Sequence, residues 1–348
     1  MNVRMMEKTL APKLQDVARL AGVSTATVSR CFNEPDKVVN KTREKVMRIV
    51  EELGYTPHFG GRALASNRSN TVGAIIPTME NAIFARGLQT FQETLADSGV
   101  TMLVASTGYD PEREYQQIRT LLSQGADGLL LIGSARPEKT YEFLERRKIP
   151  YVITWNYKFD SSCFNVGFNN RKAAALLAQC VIDFGHTNIA MISAPREHND
   201  RARDRVGGTQ DAMKASGLSP DGLAIETTKY SLKNGGLAFE KLMTRTPRPT
   251  AVICGNDVLG AGAIAKAKEM GLKIPDDVSI TGFDDIDISE VVDPKLTTVH
   301  VPHRRMGEAA ARMLLDILNG QKECQSIELE TQLVMRGSLG PLNSEDSP

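Results

Sequence analysis

From Thr71 onward the chain alternates short apolar runs with amphipathic stretches, and this alternation limits the fold more than any other feature. TVGAIIP, VTMLVAS, DGLLLIG and PYVITW read as buried strands. Between them lie helical stretches over 81–98, from Pro111 to Gly125, and near 137–147. In the first of these Ile83, Phe84, Leu88, Phe91 and Leu95 share one face, the spacing of a helix packed on a sheet. A second series follows. It runs through the helix of RKAAALLAQCVIDFG, the strand NIAMIS, a helix near 204–216, a strand near 223–227 and the helix of GGLAFEKLM, then the strand TAVICG, the helix of DVLGAGAIAKAKEMG and the strand DVSITGF. Strands separated by helices pair in parallel, and both faces of the sheet are then covered. Two such series, with a helix at 302–318 and a strand near 326–335 left over, predict two α/β lobes with crossing connections. Ligands of open parallel sheets sit beyond the carboxyl ends of the strands, which here is a cleft between lobes.

The first 70 residues carry a different pattern. KLQDVARLAGVSTATVSRCFNE, residues 13–34, reads as two short helices joined by a tight turn. Leu14, Val17, Ala18 and Leu20 form the apolar stripe of the first, and Gly22 ends it in the left-handed conformation that glycine adopts freely. Ser24 is a suitable N-cap for the second. Val28 points inward. Ser24, Thr25, Ala26, Thr27, Ser29 and Arg30 are small or hydrogen-bonding groups suited to the major groove of DNA, so the second helix is the expected reader of a helix-turn-helix. A third helix from about Lys41 to Leu53 closes a small core through Val46, Ile49, Val50 and Leu53. The polar, glycine-rich YTPHFGGRALASNRSN then connects to the body.

Charge agrees with this division. The 348-residue chain is neutral overall, yet residues 1–70 hold 12 Lys+Arg against 7 Asp+Glu, and the remainder holds 30 against 35. A basic head suits phosphate contacts. The five cysteines are widely spaced with no paired motif, which suits reduced thiols in a cytoplasmic protein. No stretch approaches the ~20 apolar residues of a membrane span, and the N-terminus lacks the apolar run of a signal peptide.

LQDVARLAGVSTATVSRCFN, then ELGYTP, then RALAS, resembles the lactose-repressor family of bacterial transcription regulators, and the resemblance extends to about residue 337. It implies a loose N-terminus at 1–11 and an all-α DNA-binding head at 12–58, joined by a hinge at 59–70 to the body at 71–340. The body's first lobe spans about 71–168 plus 302–335 and its second about 169–301, and 341–348 is a loose tail. The body resembles periplasmic sugar-binding proteins. The resemblance further implies a homodimer, with assembly into tetramers left open, on a palindromic operator. Arg62 and Leu64 would lie in a hinge helix on the minor groove, Leu64 as an apolar wedge between base steps. In the cleft, Asp284 as the first acid of GFDD would bind hydroxyls, and Asn256, Arg205 and Arg203 would join it, with Tyr230 as a stacking ring. In VGFNN the family usually has Asp-Asn where this chain has Asn169 and Asn170, so Asn169 is a further cleft candidate, one that lacks the family's carboxylate and with it a repulsive charge toward an anion. Phe84 and the single tryptophan, Trp155, sit at strand ends and are cleft candidates on that ground, core packing being the alternative for Phe84. NAIFARG and TGYDPEREYQ look most like the gluconate-repressor branch, which favours a sugar acid such as gluconate over a neutral sugar or a purine.

Other chemistries fit poorly. Asp284, Asp285 and Asp287 lack the spacing of a calcium loop, so no metal is expected. Gly260 and Gly262 fall within a helix instead of a strand–helix turn, which removes a dinucleotide fingerprint. No catalytic constellation and no cofactor are expected, and His186, His198, His300 and His303 are expected at the surface or behind the site. The alternative from another class is a solute-binding protein of a transport system; the basic head and missing signal peptide oppose it.

Overall fold

The computed structural model describes residues 11–56, 68–80, 82–159, 163–321 and 323–342. Arg62 and Leu64 lie outside them. The chain divides into two compact units, Met1–Ser69 and Asn70–Pro348.

In the first unit α1 (Leu14–Ala21), α2 (Thr25–Asn33) and α3 (Asn40–Leu53) enclose a core of Val17, Ala18, Ala21, Val28, Cys31, Val46, Ile49 and Tyr55. Gly22 ends α1 with φ 65°, and the Ser24 hydroxyl caps α2 by accepting from the Thr27 amide at 3.1 Å. The expected stripe of α1 is corrected at one position: Leu20 is exposed and Ala21 is buried. Ala21 lies four residues after Val17, on the same helical face, whereas Leu20 is rotated away from it.

The second unit contains a six-stranded sheet in the order β11-β5-β4-β3-β1-β2, every neighbouring pair parallel. Its strands are β1 (Thr71–Ile76), β2 (Thr101–Ser106), β3 (Gly128–Ile132), β4 (Tyr151–Thr154), β5 (Asn165–Gly167) and β11 (Ile327–Glu328). A four-stranded parallel sheet has the order β7-β6-β8-β9, from Ala224–Thr227, Ile189–Ser193, Ala251–Cys254 and Ser279–Thr281. The strand expected near 326–335 is split. Ile327–Glu328 joins the large sheet, while Gln332–Val334 pairs antiparallel with Thr298–His300 in a separate two-stranded ribbon.

Helices cover both sheets: α4 (Ala82–Asp97), α5 (Pro111–Ser123), α6 (Glu138–Arg146), α7 (Asn170–Asp183), α8 (Asp200–Ala215), α9 (Leu232–Met243), α10 (Asp257–Glu269), the single turn α11 (Ile288–Val291) and α12 (His303–Leu318). Three helix pairs meet backbone to backbone over glycine. A Cβ on Gly208, Gly262 or Gly307 would come within 2.0 Å of the carbonyl oxygen of Arg171, Leu232 or Gly87 respectively. GAGAIAKAKEMG is therefore a packing surface, and α10 runs through Gly260 and Gly262.

Among the described residues no helix is long and apolar enough to cross a membrane, and no group of three or more His, Cys, Asp or Glu side chains could hold a metal ion.

Candidate functional site

The carboxyl ends of both parallel sheets carry buried polar side chains, which hydrophobic strands alone would not place there. Past β3, Ser134 donates from its amide (2.6 Å) and its hydroxyl (2.8 Å) to the carboxylate of Asp200. Past β4, Asn156 donates to the same oxygen at 2.6 Å. Asp200 opens α8 beside the other sheet, so these bonds cross between the lobes. Burial opposes its ionisation, but Arg201 at 2.8 Å and the Ser134 and Asn156 donors hold the carboxyl at about 2. Gly133 makes room for this pair: its φ is 68°, and a Cβ there would lie 1.8 Å from Arg201 Nη1. A second tie between lobes runs from Arg86 on α4 to the Asp285 carbonyl and the Asp287 carboxylate.

Arg205, one helical turn after Arg201, is 4% exposed and spends its guanidinium on three acceptors. Nε donates to Asn170 Oδ1 (3.0 Å), Nη1 to the Gly255 carbonyl (2.5 Å) and Nη2 to Asp284 Oδ1 (3.3 Å). The guanidinium also lies 3.8 Å from the ring centroid of Phe283, which stacks on Phe168. Asp284 is wholly buried, and burial raises its carboxyl to about 6 although Arg205 pulls it down. Neighbouring Asp257 is driven further up by burial and by the Asp284 charge.

Aromatic rings line the same region. Phe84 meets Trp155 edge-on with centroids 5.4 Å apart, and Tyr109 meets Tyr230 at 6.4 Å. Burial raises both phenols, so they stay neutral donors and acceptors. Tyr109 (φ 65°), Trp155 (φ 60°) and Asp284 (φ 104°) all have left-handed backbone. Such conformations are costly for side-chain-bearing residues and cluster at ligand sites.

Of the residues expected here, Phe84, Trp155, Arg205, Tyr230, Asn256 and Asp284 come together, and two others do not. Arg203 is exposed. Helix α8 begins at Asp200, capped by Asn199. That start puts Arg201 and Arg205, four residues apart, on the inward face and turns Arg203 outward. Asn169 is also exposed: it is the N-cap of α7, accepting from the Lys172 amide at 3.0 Å. The inward residue is Asn170, which donates to the Trp155 carbonyl at 2.9 Å and accepts from Arg205.

Two histidines are corrected as well. His186 is buried and ties Thr250, Ser279 and the Gly340 carbonyl together. His303 is buried against Trp155 in the cleft. Tyr109, Ser134, Asn156, Asn170 and Arg201 were not expected. All but Arg201 follow the carboxyl end of a strand, so the strand-end rule applied to every strand would have found them.

In the head, Thr25, Ala26 and Arg30 are exposed on α2. The Thr27 hydroxyl is bonded to that of the cap Ser24 (2.9 Å), and Ser29 accepts from Asn33 (3.2 Å). Thr25, Ala26 and Arg30, the residues expected to read bases, are thus free of these side-chain bonds, while Ser24 and Thr27, expected on or near phosphates, are bonded to each other.

Residues 13–58 match the family model for bacterial regulatory proteins of the lacI family, and residues 178–339 match a periplasmic binding protein-like domain. The chain is 34% identical over 329 residues to the HTH-type transcriptional repressor PurR of Klebsiella pneumoniae, covering 94% of this chain and 96% of that one. It superposes with a TM-score of 0.87 at 27% identity on a LacI-family transcriptional regulator from Silicibacter pomeroyi, covering 94% of this chain and 99% of that one. On the lac repressor dimer bound to operator and the anti-inducer ONPF the TM-score is 0.81 at 26% identity, with the same coverage. With a helix-turn-helix head and a two-sheet cleft body matched over almost its whole length, the chain belongs to the lacI family of bacterial regulatory proteins and is a DNA-binding transcriptional regulator.

Proposed function

We propose that this protein is a cytoplasmic repressor that binds a palindromic operator as a homodimer and that a sugar acid such as gluconate controls its operator affinity. The observation that carries the ligand class is the pair of buried guanidiniums, Arg201 and Arg205, set on one helical face among hydroxyl-binding groups. A guanidinium fork suits a carboxylate, while Asp284 and Asn256 suit hydroxyls. Because the Asp284 carboxyl sits at about 6, its charge is the part of the site most easily given up to an anion. Two-fold symmetry follows from pairing identical subunits on one DNA site. Exposed Leu232, Leu237 and Val291, gathered around a groove with Ala261 and Ala265, supply an apolar face for that pairing.

Calorimetry with gluconate, galactonate and neutral hexoses, paired with operator-binding titrations, tests the reading. Tight binding of a sugar acid that changes operator affinity supports it. Tight binding of a neutral sugar, with no sugar acid bound, would sink the anion and leave the regulator standing.

A further inference from the structure

The carboxylate of Asp200 divides its two oxygens between the lobes. Oδ1 stays with its own helix, accepting from the Arg201 amide at 3.0 Å and from Arg201 Nη1 at 2.8 Å. Oδ2 is offered to the first lobe, where the Ser134 amide, the Ser134 hydroxyl and Asn156 Nδ2 donate to it at 2.6, 2.8 and 2.6 Å. Delivery is set by the helix: Asn199 caps α8, which puts Asp200 in the first turn, where the helix dipole favours a negative charge.

The receiving side is organised within the first lobe alone. Asn156 Nδ2 also donates to the Ser134 hydroxyl at 3.3 Å, so the donors hold one another. Behind them Tyr141 donates to the Ser134 carbonyl at 3.0 Å. The buried Arg136 fixes Tyr141 with one nitrogen and Glu114 with another, each at 3.0 Å. Gly133 lets the second lobe approach this closely, because a Cβ there would lie 2.5 Å from Asp200 Oδ1.

This contact is finely balanced. Asp200 is 0% exposed, so closing the lobes strips its carboxylate of water, and the cross-lobe donors must offset that cost. Opening returns the water. The closed arrangement therefore depends on each donor, while the whole contact adds little net stability. The other cross-lobe tie, from Arg86 to Asp287, ends on a carboxylate that is almost fully exposed, where an ion pair is worth little. With its carboxyl at about 2, Asp200 stays ionised and the contact persists across the ordinary pH range.

We infer that Asp200 is a latch built into the chain: its carboxylate closes the two lobes on each other in the effector-free protein and thereby sets the operator affinity from which an effector departs. The inference concerns the free protein and does not depend on which effector the cleft takes. Removing one charge-assisted bond leaves a buried carboxylate short of a donor, which corresponds to roughly ten- to a hundredfold in the ratio of closed to open.

The test uses the full-length protein without effector and takes three readings. Hydrogen exchange at the Ser134 amide reports the cross-lobe bond. Acrylamide quenching of Trp155, the single tryptophan, 1% exposed beside the cleft, reports opening. Operator titration reports the coupling to the head. Wild type is compared with Asp200→Asn, which keeps the shape and removes the charge, and with Asn156→Ala, which removes one donor and leaves Asp200 and the Ser134 amide in place. In both variants the Ser134 amide should exchange about ten- to a hundredfold faster and Trp155 should become quenchable. Operator affinity should change by at least about fivefold. Rapid exchange at Ser134 in wild type overturns the latch. So does faster exchange in Asp200→Asn alone with Trp155 shielded in both variants, which marks a local bond and no lobe movement. Opened lobes with unchanged operator affinity overturn the regulatory role. If one variant does not melt cooperatively, the other decides by the same three readings.

Discussion

Replacing Arg205 by alanine is expected to destabilise the body in a pH-dependent way, and the structure supplies the magnitude. The guanidinium satisfies Asn170 Oδ1, the Gly255 carbonyl and Asp284 Oδ1, all buried. Orphaning the first two costs about 1–3 kcal/mol each at any pH. The third acceptor behaves differently. The Asp284 carboxyl has a folded-state value of about 6 against an ordinary 3.8, so the folded protein favours its protonated form. That preference contributes stability fully below the unfolded value and loses it as pH rises through 6. Without Arg205 the buried carboxyl stays protonated to higher pH, and keeping it so costs about 1.4 kcal/mol for each pH unit above 6 relative to wild type. The extra destabilisation is therefore about 2 kcal/mol at pH 7.5 and near zero at pH 5. Trp155, the single tryptophan, is buried beside this network and reports the unfolding of the body by fluorescence. Urea titrations of wild type and Arg205→Ala at both pH values give the difference directly. An equal loss of stability at pH 5 and pH 7.5 would refute the view that Arg205 keeps Asp284 ionised.

Under the proposed function the same carboxyl also sets the pH dependence of effector binding. Affinity for a sugar acid is expected to rise, by up to about tenfold per unit, as pH falls from 7.5 toward 6, because protonating Asp284 releases Arg205 and removes a like charge. A neutral hexose should lack that rise, and calorimetry at three pH values distinguishes them. In the head, Thr25→Ala and Arg30→Ala should each cost about 1–3 kcal/mol of operator affinity and relax preference at one base position. Unchanged binding and sequence preference in both would mean that α2 is not the reader. Leu64→Ala should weaken operator binding strongly and reduce DNA bending. Equal bending by variant and wild type, in a gel-shift assay with permuted sites, would contradict the wedge.

The order of elements was legible from the residues because it depends on local periodicity. Buried strands of Val, Ile and Leu between amphipathic helices leave few arrangements, and the Gly22 turn and Ser24 cap are decided by residues within one helical turn. Phe84, Trp155, Arg205, Tyr230, Asn256 and Asp284 were reached through strand ends and through resemblance. Tertiary structure decided which of several neighbouring polar groups faces inward. Between Arg201 and Arg203 the choice hangs on where α8 starts, and Asn199 fixes that by capping the helix at Asp200. Between Asn169 and Asn170 it hangs on which one is used as the cap, since the cap points back along its own helix and the next residue is free to reach Trp155 and Arg205. His303 carries no local mark at all. Its burial comes from α12 packing on α4, which sets its ring on a tryptophan about 150 residues earlier in the chain. Periodicity extends over a turn or two of backbone, whereas a cleft is assembled from residues whose only relation is that two sheets bring their strand ends together.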